Sequence, residues 1–87
     1  MKADRKYIYT MLKTARGQVD GIIKMVDDDR YCMEISNQLL ATQSILRAVN
    51  MKIIEAHMRS CVKEAIEEGN TDEKMDEMFS LFTNMSK

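Results

Sequence analysis

Residues 31–68 read YCMEISNQLLATQSILRAVNMKIIEAHMRSCVKEAIEE, a stretch without a single Gly or Pro. Cys32, Ile35, Leu39, Thr42, Leu46, Val49, Ile53, Ala56 and Ser60 fall three and four apart throughout, the seam of one continuous amphipathic helix. Gly69-Asn70 then supplies the left-handed stop that such a helix takes at its C-terminus. Upstream, Ile8, Leu12, Ala15, Val19, Ile22 and Val26 repeat the same spacing and predict a helix over about 4–27. Gly17 and Gly21 inside it each cost up to ~1 kcal/mol against Ala, which suggests close helix approach there. Asp27-Asp28-Asp29 closes that helix and is available to cap the next. Downstream, Thr71 is placed to cap a short helix over about 71–84, with Asp72 and Glu73 in its first turn and an inward face of Met75, Met78, Phe79 and Phe82. The expectation is an all-α fold in a single domain, 1–87, with three helices and a very long second one.

Composition agrees. The 87 residues are 45% hydrophobic, too apolar for a disordered tail, and lack Pro entirely. Lys and Arg number 13 against 14 Asp and Glu, so bulk charge points to neither nucleic acid nor a membrane. No apolar run approaches the ~20 residues that span a bilayer. Met1-Lys2-Ala3-Asp4-Arg5-Lys6 has no apolar segment behind it, so a cytoplasmic protein is expected. Two cysteines in a reducing compartment read as thiols, metal ligands or redox centres rather than a structural disulfide.

Length then becomes informative. A helix of about 37 residues is ~55 Å long, whereas a compact domain of this size is roughly 30 Å across. The flanking helices cannot cover the apolar face of the long one at every level. Burial must come from another copy, so an obligate oligomer built as a helix bundle is expected.

Three residues carry the candidate chemistry: Cys32, His57 and Cys61. His57 and Cys61 are four apart and project from one helix face. At ~100° per residue, Cys32 falls between them in a sector about 40° wide, yet it lies ~38 Å from His57 along the same rod. One chain cannot close this site. An antiparallel partner can, because a two-fold axis near Ile45 and Leu46 brings Cys32 of one subunit level with position 59 of the other. Each intersubunit site would then hold two sulfurs and one imidazole.

A lone Cys on an apolar stripe is ordinarily a small core residue, and a His/Cys pair four apart can arise by chance. The common sector and matching register are what set these three apart. Two thiolates and one imidazole suit Cu(I), or Zn(II) with a fourth ligand. Cu(I) accepts three ligands, and only one His exists in the chain to satisfy nickel or cobalt, so Cu(I) is the favoured ion. The methionines fall at packing positions or are scattered. Catalysis is not expected: there is no phosphate loop or carboxylate dyad, and no length for a substrate domain. A small-molecule substrate is therefore not expected either.

At these residues a resemblance appears. Arg16-Gly17-Gln18-Val19-Asp20-Gly21-Ile22, Asp29-Arg30-Tyr31-Cys32, the stretch from Gln38 to Asn50, and His57-x-x-x-Cys61-Val62 resemble the metal-sensing transcriptional repressors of the CsoR/RcnR family over roughly residues 5–80. The resemblance implies three-helix chains forming dimers and tetramers that bind operator DNA when metal-free and release it on ligand binding. It implies the copper(I) branch, with Cys32 from one subunit and His57 and Cys61 from its partner, and derepression of copper efflux or resistance genes. Persulfide sensors keep both cysteines without the His. The alternatives left open are a sensor of persulfide or another ligand through Cys32 and Cys61, and a non-regulatory zinc- or copper-binding bundle. By the same resemblance, Tyr31 and Glu77 lie beside the ligands, where they would orient the unligated nitrogen of His57.

DNA binding needs positive charge, and its distribution is more telling than its total. Arg5, Lys6, Lys13, Arg16 and Lys24 occupy one ~100° sector beside the apolar stripe of the first helix, broken by Asp20 and Asp27. With Arg47 on the second helix, Arg5, Lys6, Lys13 and Arg16 are the candidate phosphate contacts, repeated by symmetry in an assembly. No helix-turn-helix pattern is evident, so backbone and groove shape are the expected readout. Where relatives often carry basic residues, this chain has Met11 and Ala48.

Overall fold

The computed structural model describes residues 1–85, Met85 by its backbone; the last two residues of the expected 1–87 domain lie outside the described residues. Three helices follow one another: α1 (Arg5–Asp27), α2 (Cys32–Glu68) and α3 (Thr71–Met85). None of the described helices is long and apolar enough to cross a membrane. The chain divides into two compact units, Asp4–Met51 and Lys52–Lys87 with Met1–Ala3.

In the Asp4–Met51 unit, α1 is started by Asp4, whose carboxylate accepts from the N–H groups of Lys6 at 3.0 Å and Tyr7 at 3.4 Å. Only every second member of the α1 stripe is buried: Ile8, Ala15 and Ile22. The alternate members Leu12, Val19 and Val26 stay 44–59% exposed. On α2, Thr42 and Val49 are buried while Leu39 and Leu46 are each 45% exposed. The contact line within the unit is thus narrower than the apolar stripe that the sequence provides. Thr42 fixes its register: the hydroxyl lies 2.7 Å from Gln18 Oε1 on α1 and 3.2 Å from its own helix's Gln38 carbonyl. Gln18 belongs to the Arg16-Gly17-Gln18 string, so that motif has a packing role here.

The glycine expectation fails within the chain. Nothing lies within 4 Å of a Cβ built at Gly17 or Gly21, and both positions are exposed. Close approach inside the described chain therefore does not account for either residue.

The helix ends also differ from the sequence reading. The aspartates do not cap α2, because it begins at Cys32 and the carbonyl of Tyr31 accepts its first N–H groups, from Glu34 at 3.0 Å and Ile35 at 3.2 Å. The aspartates terminate α1, as expected. Asp28 is the cap, Asp29 has φ +54°, and the N–H groups of Asp29 and Arg30 return to the carbonyls of Val26 and Met25. That pattern is a Schellman motif with Asp where Gly is usual. At the end of α2, Gly69 takes φ +75° and its N–H reaches the Ala65 carbonyl at 2.9 Å. Thr71 is the first residue of α3 rather than its cap, and the preceding Asn70 carbonyl accepts the Lys74 N–H at 3.3 Å.

The left-handed backbone at Asp29 yields a clean test. Asp tolerates this conformation better than most residues and Gly better still. Asp29→Val should destabilise the fold by about 1–2 kcal/mol, whereas Asp29→Gly should change it by at most a few tenths or raise it slightly. Urea unfolding at fixed protein concentration, followed by circular dichroism, measures both.

Candidate metal centre

The Lys52–Lys87 unit assembles the site from the second half of α2 and from α3. His57 and Cys61, one helical turn apart, project from the same face of α2. Glu77 on α3 meets both: its Oε1 lies 2.6 Å from His57 Nε2 and its Oε2 lies 3.5 Å from Cys61 Sγ. One ligand-type atom from each of the three residues lies within 4.8 Å of the others. His57 and Glu77 are half-buried, and Cys61 is only 3% exposed.

Protonation follows from these contacts. The hydrogen bond from His57, and then that from Cys61, hold the Glu77 carboxyl below its ordinary range. An ionised carboxylate only accepts, so His57 donates from Nε2 and Cys61 donates from Sγ. Burial pushes the Cys61 thiol upward, and the hydrogen bond to Glu77 adds to the rise. With Nε2 engaged, Nδ1 is the imidazole nitrogen left to coordinate an ion.

The donor chemistry fits a soft metal. A thiol sulfur and an imidazole nitrogen stand side by side, and the one hard oxygen donor is already committed to two hydrogen bonds. Of the three expected ligands, the protomer brings His57 and Cys61 together. Cys32 is exposed at the start of α2, in the other unit, and is not a member of this cluster. Tyr31 is likewise in the Asp4–Met51 unit and 69% exposed.

Sequence reasoning missed one part of this unit. Lys74 Nζ lies 3.0 Å from Glu64 Oε2, a second bridge between α3 and α2. Glu64 follows Cys61 by three residues and Lys74 precedes Glu77 by three, so helical spacing puts each beside a site residue. Only the fold pairs them with each other. The expected inward face of α3 also differs. Phe79 is 63% exposed, and Met75, Met78, Phe79 and Phe82 line a surface depression. The more covered residues are Lys74, Glu77, Met78 and Leu81, a neighbouring stripe at i, i+3, i+4 and i+7.

The basic candidates Arg5, Lys6, Lys13, Arg16 and Arg47 are all exposed. Lys13 Nζ sits 4.4 Å from the centroid of the Tyr9 ring, a cation–π contact that steadies a long side chain without removing its charge. Tyr9, Leu12, Lys13 and Arg16 line one surface depression of α1.

The family model for metal-sensitive transcriptional repressors matches residues 4–84. The copper-sensing transcriptional repressor CsoR of Bacillus subtilis (strain 168) is 34% identical over 84 residues, 97% of this chain and 83% of that protein. CsoR of Mycobacterium ulcerans is 40% identical over 67 residues, 77% of this chain, which spans 57% of that relative's length. Among solved structures, the nickel-responsive regulator InrS superposes with a TM-score of 0.89 at 25% identity, covering 97% of this chain and 94% of that one. The copper-sensing repressor CsoR with Cu(I) from Geobacillus thermodenitrificans superposes at 0.85 with 39% identity, covering 94% of this chain and 85% of that one. A match over residues 4–84, joined to a thiol–imidazole–carboxylate cluster on two helices, leaves a single assignment: the chain belongs to the metal-sensitive transcriptional repressor family.

Proposed function

We propose that this protein is a copper(I)-responsive transcriptional repressor of the cytoplasm that holds operator DNA when metal-free and leaves it on Cu(I) binding, derepressing copper efflux or resistance genes. The observation that carries the reading is the orientation of His57 by Glu77 beside Cys61. A persulfide sensor working through two cysteines would have no use for an imidazole held at one nitrogen. The copper-sensing relatives and the Cu(I)-bound CsoR support the same choice of metal.

Cys32 would supply the second sulfur from a partner subunit. The sequence puts Cys32 and His57 25 residues apart in one predicted helix, ~38 Å along it, so one chain would not bring them to a shared ion. An antiparallel dimer about Ile45 and Leu46 supplies the missing reach, and two dimers form the proposed tetramer. Half-exposed Leu12, Val19, Leu39 and Leu46 give such an assembly apolar surface to cover, and no described side chain is less than 2% exposed in the lone protomer. Tyr31, next to Cys32, would arrive at the partner's site with it.

When bound, Cu(I) supplies a soft Lewis-acid centre satisfied by two thiolates and one imidazole. The rest is work for the protein's own groups. Cys61 must give up its proton to ligate, and a thiolate cannot donate to Glu77. The hydrogen bond from Cys61 to Glu77 therefore breaks on loading, whereas the His57–Glu77 bond persists and fixes the ring. Glu77 rides on α3, so the change at Cys61 is felt by that helix. Differential stability of the two arrangements shifts the population away from the DNA-binding form. Arg5, Lys6, Lys13, Arg16 and Arg47 would supply the phosphate contacts of that form.

Fluorescence anisotropy of a DNA fragment carrying the operator, titrated with protein with and without Cu(I) under anaerobic reducing conditions, tests the reading. Copper should weaken binding by about 5–150-fold. Cys32→Ala and Cys61→Ala should each abolish tight Cu(I) binding while helicity and metal-free DNA binding persist. His57→Ala should keep part of the copper affinity through the thiolates yet lose most of the release from DNA. Continued copper response in both cysteine variants would overturn the proposal.

The DNA face has its own test. Removing one phosphate-binding side chain, as in Arg16→Ala, should weaken metal-free binding. The log–log salt dependence should become shallower by about 0.9 for every phosphate no longer neutralised. An unchanged slope would remove Arg16 from the interface.

A further inference from the structure

α3 is a helix of 15 residues, near the length at which an isolated helix is marginal in water. Its attachment to α2 therefore has to come from interactions between the two. None of its described side chains is buried, and the half-buried ones are Lys74, Glu77, Met78 and Leu81. Two of those four are charged, and both charged groups meet side chains of α2. Glu77 contacts His57 at 2.6 Å and Cys61 at 3.5 Å, and Lys74 contacts Glu64 at 3.0 Å. Ascending α2 through His57, Cys61 and Glu64 means descending α3 from Glu77 to Lys74, so the contacts form antiparallel rungs.

Charge explains why the last rung is needed. Glu77 and Glu64 would otherwise bring like charges together on facing turns. Lys74 is the cation set among them. Its ammonium favours the ionised form of Glu64, and Glu64 in turn raises the affinity of Lys74 for a proton. Lys2 adds a smaller attraction on Glu64 alone. The Lys74 side chain is 20% exposed against 36% for Glu64, so the pair is partly shielded and less easily screened than a surface contact.

We propose that the Lys74–Glu64 ion pair is the positioning contact that keeps α3 in register on α2, so that the Glu77 carboxylate remains against His57 and Cys61. Its consequence for copper response rests on the proposed function; its structural part does not. Lys74 touches no ligand atom and acts through Glu77.

Amide hydrogen exchange on the full-length, metal-free protein tests the register role. Lys74→Met keeps the apolar stem and removes the charge; Glu64→Gln removes the other half of the pair; Lys74→Arg keeps it. Lys74→Met and Glu64→Gln should each speed exchange along residues 75–82 by about fivefold, the scale of a partly shielded ion pair. Amides of α1 should be unmoved and Lys74→Arg should match the wild type. In the copper arm, Lys74→Met should bind the same number of Cu(I) ions as the wild type, with a copper-induced loss of operator affinity smaller by a similar factor. Unchanged α3 exchange in Lys74→Met and Glu64→Gln, or equal acceleration in Lys74→Arg, overturns the proposal. A wild type whose DNA binding ignores Cu(I) would sink the copper reading alone, and the exchange comparison would still decide the register role.

Discussion

The two nitrogens of an imidazole become distinct when one of them is held, and here the holder is Glu77, 2.6 Å from Nε2 of the one histidine in the chain. The arrangement works because the carboxylate is itself kept ionised by the groups that donate to it. A protonated carboxyl would spend one oxygen as a donor and would accept more weakly from His57 and Cys61 together. Ring orientation and the charge of Glu77 are therefore one property. Because Glu77 stands on a different helix from His57, the same bond that aims the ring also ties α3 to α2.

The second constraint is coverage. α1 and α2 each carry an apolar stripe wider than the line along which they meet. In α1, Ile8, Ala15 and Ile22 are buried at intervals of seven residues, and the intervening Leu12, Val19 and Val26 remain largely open. An apolar stripe left half in water is a strong drive to associate. The proposed partner subunit meets that need and the need for a second sulfur with one antiparallel contact.

Much of this is legible in the sequence, for identifiable reasons. The absence of Pro and the run from Tyr31 to Glu68 without Gly make the three helices plain, and their ends fall within a residue of those expected. The roles at those ends are not legible, since they depend on backbone angles. Asp29 is a left-handed terminator of α1, and the Tyr31 carbonyl rather than an aspartate begins α2. His57 and Cys61 are visible together because a spacing of four is a local relation. Glu77 is twenty residues from His57, and only resemblance suggests it, because no periodicity connects two helices. The Lys74–Glu64 pair is likewise a tertiary contact, and two ordinary charged residues in ordinary helical positions give no sign of it. The face of α3 escapes the sequence for a related reason: large apolar residues at 75, 78, 79 and 82 outweigh the charged pair at 74 and 77 wherever hydrophobicity alone is counted.

The two charged residues in the inner stripe of α3, Lys74 and Glu77, are what would make the helix responsive in the proposed repressor. Apolar contacts are non-directional and nearly indifferent to the protonation of a neighbour, so a third helix fixed by a deep apolar seam would change little when a thiol on the facing helix lost its proton. α3 is attached differently. Its most covered polar groups end on a thiol, an imidazole and a carboxylate of α2, and each such contact depends on the charge and proton of its partner. In the proposed repressor, attachment of this kind would let one chemical event at the site select between arrangements of α3. The exposed aromatic and methionine surface beside that stripe is then not wasted burial. It is what remains when the inward stripe of a short helix includes Lys74 and Glu77 beside Met78 and Leu81.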